Sequence, residues 1–424
     1  MKFLFFLMPA QGHVTPSLPI ARELIARGAE VTYYLPDEYA SSVRRVGATF
    51  RPLDPSLRLE EREGAESLAR KDGAPASFKD MMPVMFQFLA DGMRLAPGML
   101  EPVRAEAADC IVYDPMCVWG RVLAGVLRLP SATFSTSYAV GPQSPLGKRI
   151  AESVRGPPSL AMIRSLAAML WSGERIHRRY GLPRLFPTNM FSANEALNLI
   201  PVPRRFQPDA DSYDSRFLFV GPTGLPREED VGDFPVQRLE GQPTLLISLG
   251  TTPLNRRPDF FRACFEAFGG SRWQVVLSTG RWVEPASLGA APPNFIVRSS
   301  VPQLAVLKHA RVFLTHGGMN STLEALWHGV PLIAAPQMPE QGLTAERVSE
   351  LGLGLSLTEG LTDPKRLREL VERLDTEPAW RERVAQFQSA VREGGGAARA
   401  AEALLGFVSA NAPPSPTARG SAGA

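Results

Sequence analysis

The chain has 424 residues, 44% of them hydrophobic and 21% charged, the profile of a soluble globular protein long enough for two or three domains. A net charge of +3 with no block of Lys and Arg argues against a nucleic-acid partner. Three cysteines (Cys110, Cys117 and Cys264) make neither a disulfide framework nor a zinc spacing, and no apolar run approaches the ~20 residues needed to span a bilayer. A cytoplasmic monomer without stable membrane association is the expectation.

The chain alternates strand-like and helical patterns. Residues 3–8, FLFFLM, form a continuous apolar run, as in a strand covered on both faces. The run is too short for the apolar part of a signal peptide. Residues 16–28 have helical spacing and stop at Gly28, and residues 30–35, EVTYYL, read as the next strand. Strand, helix, strand at this spacing predicts a right-handed parallel unit. CIVYD at 110–114, a helical pattern at 116–129 and PSATFS at 130–135 repeat it. Residues 221–243, rich in Gly, Pro and charge, read as a linker. A second series follows, with strands at 244–250, 273–279, 294–299, 311–316 and 331–336. The predicted fold is therefore α/β, with two doubly wound halves. The boundaries are 1–220 for an N-terminal domain, 244–380 for a C-terminal domain, and 381–408 for a final helical segment. Residues 409–424, small and Pro-rich, read as a disordered tail.

In open parallel sheets, ligands bind beyond the carboxyl ends of the strands. His13 and Asp114 fall there in the first half, and an imidazole beside a carboxylate is the arrangement of a general base. In the second half the same position holds Gly250 and Thr251 after one strand and His316, Gly317 and Gly318 after another. The segment HGGMNSTLEALWHG predicts a glycine turn and then a helix. Asn320, Ser321 and Glu324 would share one face of it, near an N-terminus suited to phosphate. The competing reading is that Asn320 or Ser321 simply caps the helix. Glu324 suits ribose hydroxyls, and Glu340 and Gln341 suit those of a sugar. Together these features predict a sugar-nucleotide site. Asp209 to Asp211, a DxD, reads as a solvated loop and not a metal site, and His177 reads as a solvated helix residue.

The segments PAQGHVTPSLPIARELIARGAEVTY, FVGP, LISLGT, VPQLAVL, THGGMNSTLEAL, GVPLIAAPQMPEQ and GGGAARAAE resemble the family 1 UDP-dependent glycosyltransferases of GT-B fold, in the bacterial macrolide and flavonoid branch. The match extends over residues 1–408. It implies two Rossmann-like domains facing a central cleft, with the acceptor mainly on the first, the donor mainly on the second, and the last helix crossing back. It implies inverting displacement with His13 as base and Asp114 as its partner. It places His316, Asn320 and Ser321 on the diphosphate at the Gly318 turn, with Thr251 beside it, Gln303 and Glu324 on the ribose, and backbone groups of Val301 on the uracil. Glu340 and Gln341 fall on the sugar, and Thr136 and Ser137 lie where the family often has a hydroxyl near sugar or phosphate. No cofactor and no metal are implied. Ser300 stands where many relatives carry a stacking Trp, which opens dTDP as an alternative nucleotide. Glu340 stands where many carry Asp.

Residues 78–100 are rich in Met, Phe and Leu, with four of the thirteen Met between Met81 and Met93, which suits a permissive apolar acceptor pocket or a packed helix. The expected reaction is transfer of glucose from UDP-glucose to a hydroxyl of a small apolar aglycone such as a phenol, flavonoid or macrolide. The alternatives are a dTDP-sugar enzyme, an auxiliary subunit binding a nucleotide sugar, and transfer to a lipid or peptidoglycan precursor. Nothing basic and amphipathic in the sequence favours the last. The absence of GxGxxG after the first strand argues against a dinucleotide oxidoreductase.

Overall fold

The computed structural model describes residues 1–54, 57, 77–141, 144, 147–148, 151–152, 155–186, 195–226, 230–251 and 256–411. Its first sheet has seven parallel strands in the order β3-β2-β1-β4-β5-β6-β7: β1 (Lys2–Phe6), β2 (Glu30–Leu35), β3 (Thr49–Pro52), β4 (Cys110–Tyr113), β5 (Ser131–Phe134), β6 (Leu197–Ile200) and β7 (Phe217–Phe219). Six parallel strands form the second, in the order β10-β9-β8-β11-β12-β13: β8 (Thr244–Ser248), β9 (Gln274–Ser278), β10 (Phe295–Arg298), β11 (Ala310–Thr315), β12 (Leu332–Ala334) and β13 (Gly354–Ser356). The halves thus have the GT-B plan of two Rossmann-like domains.

The apolar runs form strands because both faces of each sheet are covered. Along β1, Phe3 and Phe5 join one core cluster while Leu4 and Phe6 join another, the period-two alternation of a strand between two helical layers. In β8, Leu245 and Ile247 face one cluster and Leu246 the other. The order of connection reverses beside β1 and beside β8, so each half has its crevice at the carboxyl ends of β1 and β4 or of β8 and β11.

Helices α1 (Gln11–Val14) and α2 (Leu18–Ala26) follow β1, with a 3-10 turn at Thr15–Ser17 between them that holds Pro16 in its first turn, where a missing N–H costs nothing. Then come α3 (Ala40–Arg45), α4 (Phe78–Ala105), α5 (Val118–Leu127) and α6 (Leu160–Tyr180). The Met-rich stretch lies in α4, whose start is fixed by a capping box between Ser77 and Asp80. Met85, Phe86, Phe88 and Met93 are core, while Met81, Met82 and Val84 are half-buried, so most of the stretch is packed helix.

The second half carries α7 (Pro258–Phe268), α8 (Gln303–Leu307), α9 (Met319–Trp327), α10 (Pro339–Glu350), α11 (Pro364–Thr376), α12 (Pro378–Arg392) and α13 (Gly396–Asn411). In the segment between the sheets, Phe234 and Leu239 are buried in core. Ala400, Ala401, Leu404 and Val408 of α13 pack with Ile20, Ala21 and Leu24 of α2, so this last described helix crosses back to the first half. The crossing depends on Gly394, where a Cβ would lie 2.3 Å from the Val220 carbonyl oxygen. Helix α13 extends to Asn411; the remainder of the expected tail, 412–424, lies outside the described residues.

Candidate active site

His13 sits in α1, the short turn directly beyond β1, and Asp114 directly beyond the adjacent β4. Their side chains meet at 2.5 Å, His13 Nδ1 to Asp114 Oδ2. The carboxylate is buried, and its other oxygen accepts the Met116 N–H at 2.8 Å, which fixes its orientation. Thr136 Oγ1 lies 2.8 Å from the same Nδ1. With Nδ1 occupied as donor, Nε2 is the nitrogen that can take a proton. Burial alone would lower the His13 pKa, but the charge and hydrogen bond of Asp114, with the charge of Glu340, outweigh it and the net shift is upward. A raised pKa with a partner carboxylate suits an imidazole that must accept a proton and hold it.

Facing this pair is α9. No side chain caps its N-terminus; Gly318 occupies the cap position, so neither Asn320 nor Ser321 has the capping role. The helix start keeps its backbone N–H groups for a ligand. Asn320 instead reaches across the cleft, donating from Nδ2 to the Gly12 carbonyl at 3.1 Å. Gln303, at the start of α8, donates to Glu324 Oε2 at 2.6 Å and to Ser321 Oγ at 3.3 Å. The predicted ribose pair and one predicted phosphate residue thus form one cluster.

His316 is wedged between two glycines. A Cβ on Gly318 would lie 2.3 Å from its Nε2, and one on Gly250, which has φ of +81°, would lie 2.6 Å from its Cε1. The ring can occupy this place only because both neighbours lack side chains. Burial lowers the His316 pKa to about 4, against a smaller upward effect of a backbone hydrogen bond at Ser248, so the ring is neutral at physiological pH. Thr251 is exposed at the rim, and its carbonyl accepts from Trp282 Nε1 at 3.0 Å.

At the predicted sugar end, Ser137 Oγ donates to Glu340 Oε1 at 2.8 Å, joining the two halves. Burial raises the Glu340 pKa, against the lowering effects of Ser137 and His13. Gln341 is buried, and its Oε1 accepts the Gln337 N–H at 2.8 Å. Gln337 is itself held by Arg257 Nε at 2.9 Å. This polarity leaves the Gln341 amide NH₂ as the donor end. Thr136 and Ser137, adjacent in sequence, therefore serve different partners, the imidazole and the carboxylate.

Val301 and Ser300 line a cavity of about 330 Å³ together with Arg298, Asp230 and Phe234. The last two belong to the segment between the sheets. Sequence reading missed them, and missed Trp282, because nothing in their own segments signals which pocket they will line. Asp211 of the DxD is exposed, 3.7 Å from Arg204. Among the described residues no group of three or more His, Cys, Asp or Glu could hold a metal ion. His177, expected to be solvated, is partly buried, and its Nδ1 donates to the Leu182 carbonyl at 2.7 Å, beyond the end of α6.

Residues 275–394 match the family described as erythromycin biosynthesis protein CIII-like, C-terminal domain. The chain is 34% identical to the NDP-glycosyltransferase YjiC of Bacillus licheniformis over 95% of its own length and 96% of that protein. It is also 34% identical to the demethyllactenocin mycarosyltransferase of Streptomyces fradiae, over 96% of its length and 86% of that protein. Among solved structures, the calicheamicin glycosyltransferase CalG4 superposes with a TM-score of 0.78 at 32% identity, over 97% of this chain and 99% of that one. Matches that run nearly end to end on a GT-B frame establish that the chain belongs to the family 1 glycosyltransferases, in their bacterial natural-product branch, and that it is a nucleotide-sugar-dependent transferase.

Proposed function

We propose that the enzyme transfers glucose from UDP-glucose to a hydroxyl of a small apolar aglycone, such as a phenol, flavonoid or macrolide, by a single inverting displacement that needs no metal. The observation that carries this reading is the His13–Asp114 pair, 2.5 Å apart, facing the uncapped start of α9 across a cleft bridged by Asn320. In this mechanism His13 Nε2 removes the acceptor's hydroxyl proton as its oxygen attacks the anomeric carbon. Asp114 stabilises the imidazolium that forms. The bond from that carbon to the diphosphate breaks on the opposite side. Backbone N–H groups at the α9 start, with Asn320, Ser321, His316 and the Gly318 turn, stabilise the departing charge, and Thr251 lies beside it. Gln303 and Glu324 take the ribose, Val301 the base, and Glu340 and Gln341 the sugar hydroxyls.

A second reading, a dTDP-sugar donor, is favoured by Ser300, which lines the 330 Å³ cavity where many relatives carry a stacking Trp. The names of the relatives, one an NDP-glycosyltransferase and one a mycarosyltransferase, are compatible with either nucleotide. The test is release of UDP or dTDP from the respective sugar donors, with phenolic and macrolide acceptors, in EDTA. Acceptor-dependent release that is lost in His13→Ala supports the mechanism. Release only with added divalent metal overturns its metal-free form. Nucleotide binding without release under any condition overturns it in favour of an auxiliary subunit.

A further inference from the structure

Helix α6 reverses the usual arrangement of a surface helix. Its buried side holds Ser165, Met169, Ser172, Gly173 and Ile176, mostly small. Its open side holds Leu160, Ile163, Leu170 and Trp171, which are 62%, 50%, 38% and 58% exposed. The small residues let α6 lie close on its neighbours, so that a Cβ on Gly173 would already be 3.7 Å from Met93 Sδ of α4. At about 100° per residue the four large apolar side chains and Ala167 form one sector. Arg164, Arg175 and Arg179 are also exposed and form the adjoining sector, while Glu174 and Arg178, an ion pair, fall within the apolar sector toward the C-terminal end of the helix. Glu174 is the helix's one acid, and it is paired with Arg178 at 2.8 Å and with Arg184 at 2.9 Å. The Arg175 guanidinium lies 4.8 Å from the Trp171 ring centroid, above an indole that is itself open to solvent.

An apolar sector beside a cationic one, with Trp at their border, has the chemistry of a helix lying in the plane of a membrane interface. Scattered exposed apolar residues are ordinary, but four on one stripe of one helix next to arginines are a defined surface. We propose that the α6 face seats reversibly on an anionic lipid surface. The apolar side chains enter the acyl boundary, and Arg164, Arg175 and Arg179 lie at the headgroup phosphates. Net positive charge along the face selects anionic over neutral lipid. The sequence pattern hid this face because α6 buries its small residues and exposes its large ones. Since α6 packs on α4, docking would bring the Met- and Phe-rich helix to a surface into which apolar acceptors partition.

The test is sedimentation of the full chain with vesicles of phosphatidylcholine alone or mixed with phosphatidylglycerol, at low and high salt. Two double variants are compared, Leu170→Ser with Trp171→Ser, and Arg164→Gln with Arg175→Gln. The expected result is partitioning onto the anionic vesicles that weakens with salt and falls about tenfold in each double variant. Thermal unfolding and transfer to a water-soluble acceptor should be unchanged. The arginine variants touch no core, so they test the proposal even if the apolar pair disturbs folding. Equal partitioning onto neutral vesicles, or no loss in the arginine variant, overturns it. So does a solution dimer, without vesicle binding, that the apolar variant dissociates; the face would then be an interface between two copies.

Discussion

Asn320 donates from its side-chain amide to the backbone carbonyl of Gly12, the residue before His13, across 308 positions of sequence. In the proposed mechanism this fastens a residue at the diphosphate end of the donor site to the turn that carries the base. On that reading, donor binding and placement of the imidazole are tied. Asn320→Ala should therefore weaken both. A hydrogen bond to a charged group is typically worth about 1.5–3 kcal/mol. Titration calorimetry with UDP should show affinity reduced roughly tenfold or more in this variant, with kcat also lowered. Unchanged affinity with lowered kcat would assign Asn320 to domain alignment alone.

Removing the proposed base should have a larger effect on the chemical step. His13→Ala should lower kcat by about 10²–10⁴, with nucleotide affinity kept. The pH profile gives a second check. Asp114 and Glu340 hold the imidazole pKa above its ordinary value despite burial, and the base works only when deprotonated. In the wild type kcat/KM should rise with pH through a value above 6.5. In Asp114→Asn the rise should move to lower pH while the maximum rate falls. The same sign governs stability. The His13–Asp114 pair stabilises the fold fully below the ordinary imidazole value, and that contribution is lost as pH rises through the folded-state value. Thermal unfolding measured across that range should show the loss in the wild type and not in His13→Ala.

How far the sequence could be read follows from the range of each interaction. Apolar runs such as FLFFLM declare buried strands locally, and the rule that ligands gather beyond strand ends then brings His13 to Asp114 without coordinates. The cluster of Gln303, Ser321 and Glu324 was reachable because its members belong to motifs of one half. The cross-cleft bonds of Asn320 and Ser137 were not, because each depends on how two separately folded sheets face each other. Asp230 and Phe234 stayed hidden for a similar reason: a Gly- and Pro-rich segment does not declare which cavity it will line. Helix α6 stayed hidden for another reason. Its period is helical, but pattern reading assigns the large apolar side to the core, and here that side faces solvent.

The glycines around His316 make a sharp steric test. Gly318→Ala puts a methyl group within 2.3 Å of the ring. Gly250→Ala adds backbone strain at φ of +81° to a similar clash. Both should displace the imidazole, lower the unfolding midpoint and reduce UDP affinity. Gly342→Ala, in the neighbouring α10, has nothing within 4 Å of the added Cβ and serves as the control. Differential scanning fluorimetry with and without UDP separates the two effects. If Gly318→Ala matched the control in both, His316 would not be held by its neighbours as described.

His316 yields the least obvious expectation. Burial holds its pKa at about 4, so the ring is neutral before the donor arrives. A neutral imidazole has one N–H, and the backbone hydrogen bond at Ser248 competes for it. A diphosphate next to the ring favours the protonated form, which supplies a second donor and a charge. Nucleotide binding should then draw a proton from solution. Calorimetry of UDP binding in buffers of different ionisation enthalpy measures that uptake directly. The wild type should take up a fraction of a proton at neutral pH, and affinity should decline as pH rises through the bound-state value. In His316→Gln the uptake should vanish and the affinity should become flat with pH. Equal uptake in wild type and variant would transfer the proton to another group, such as the diphosphate or Glu340.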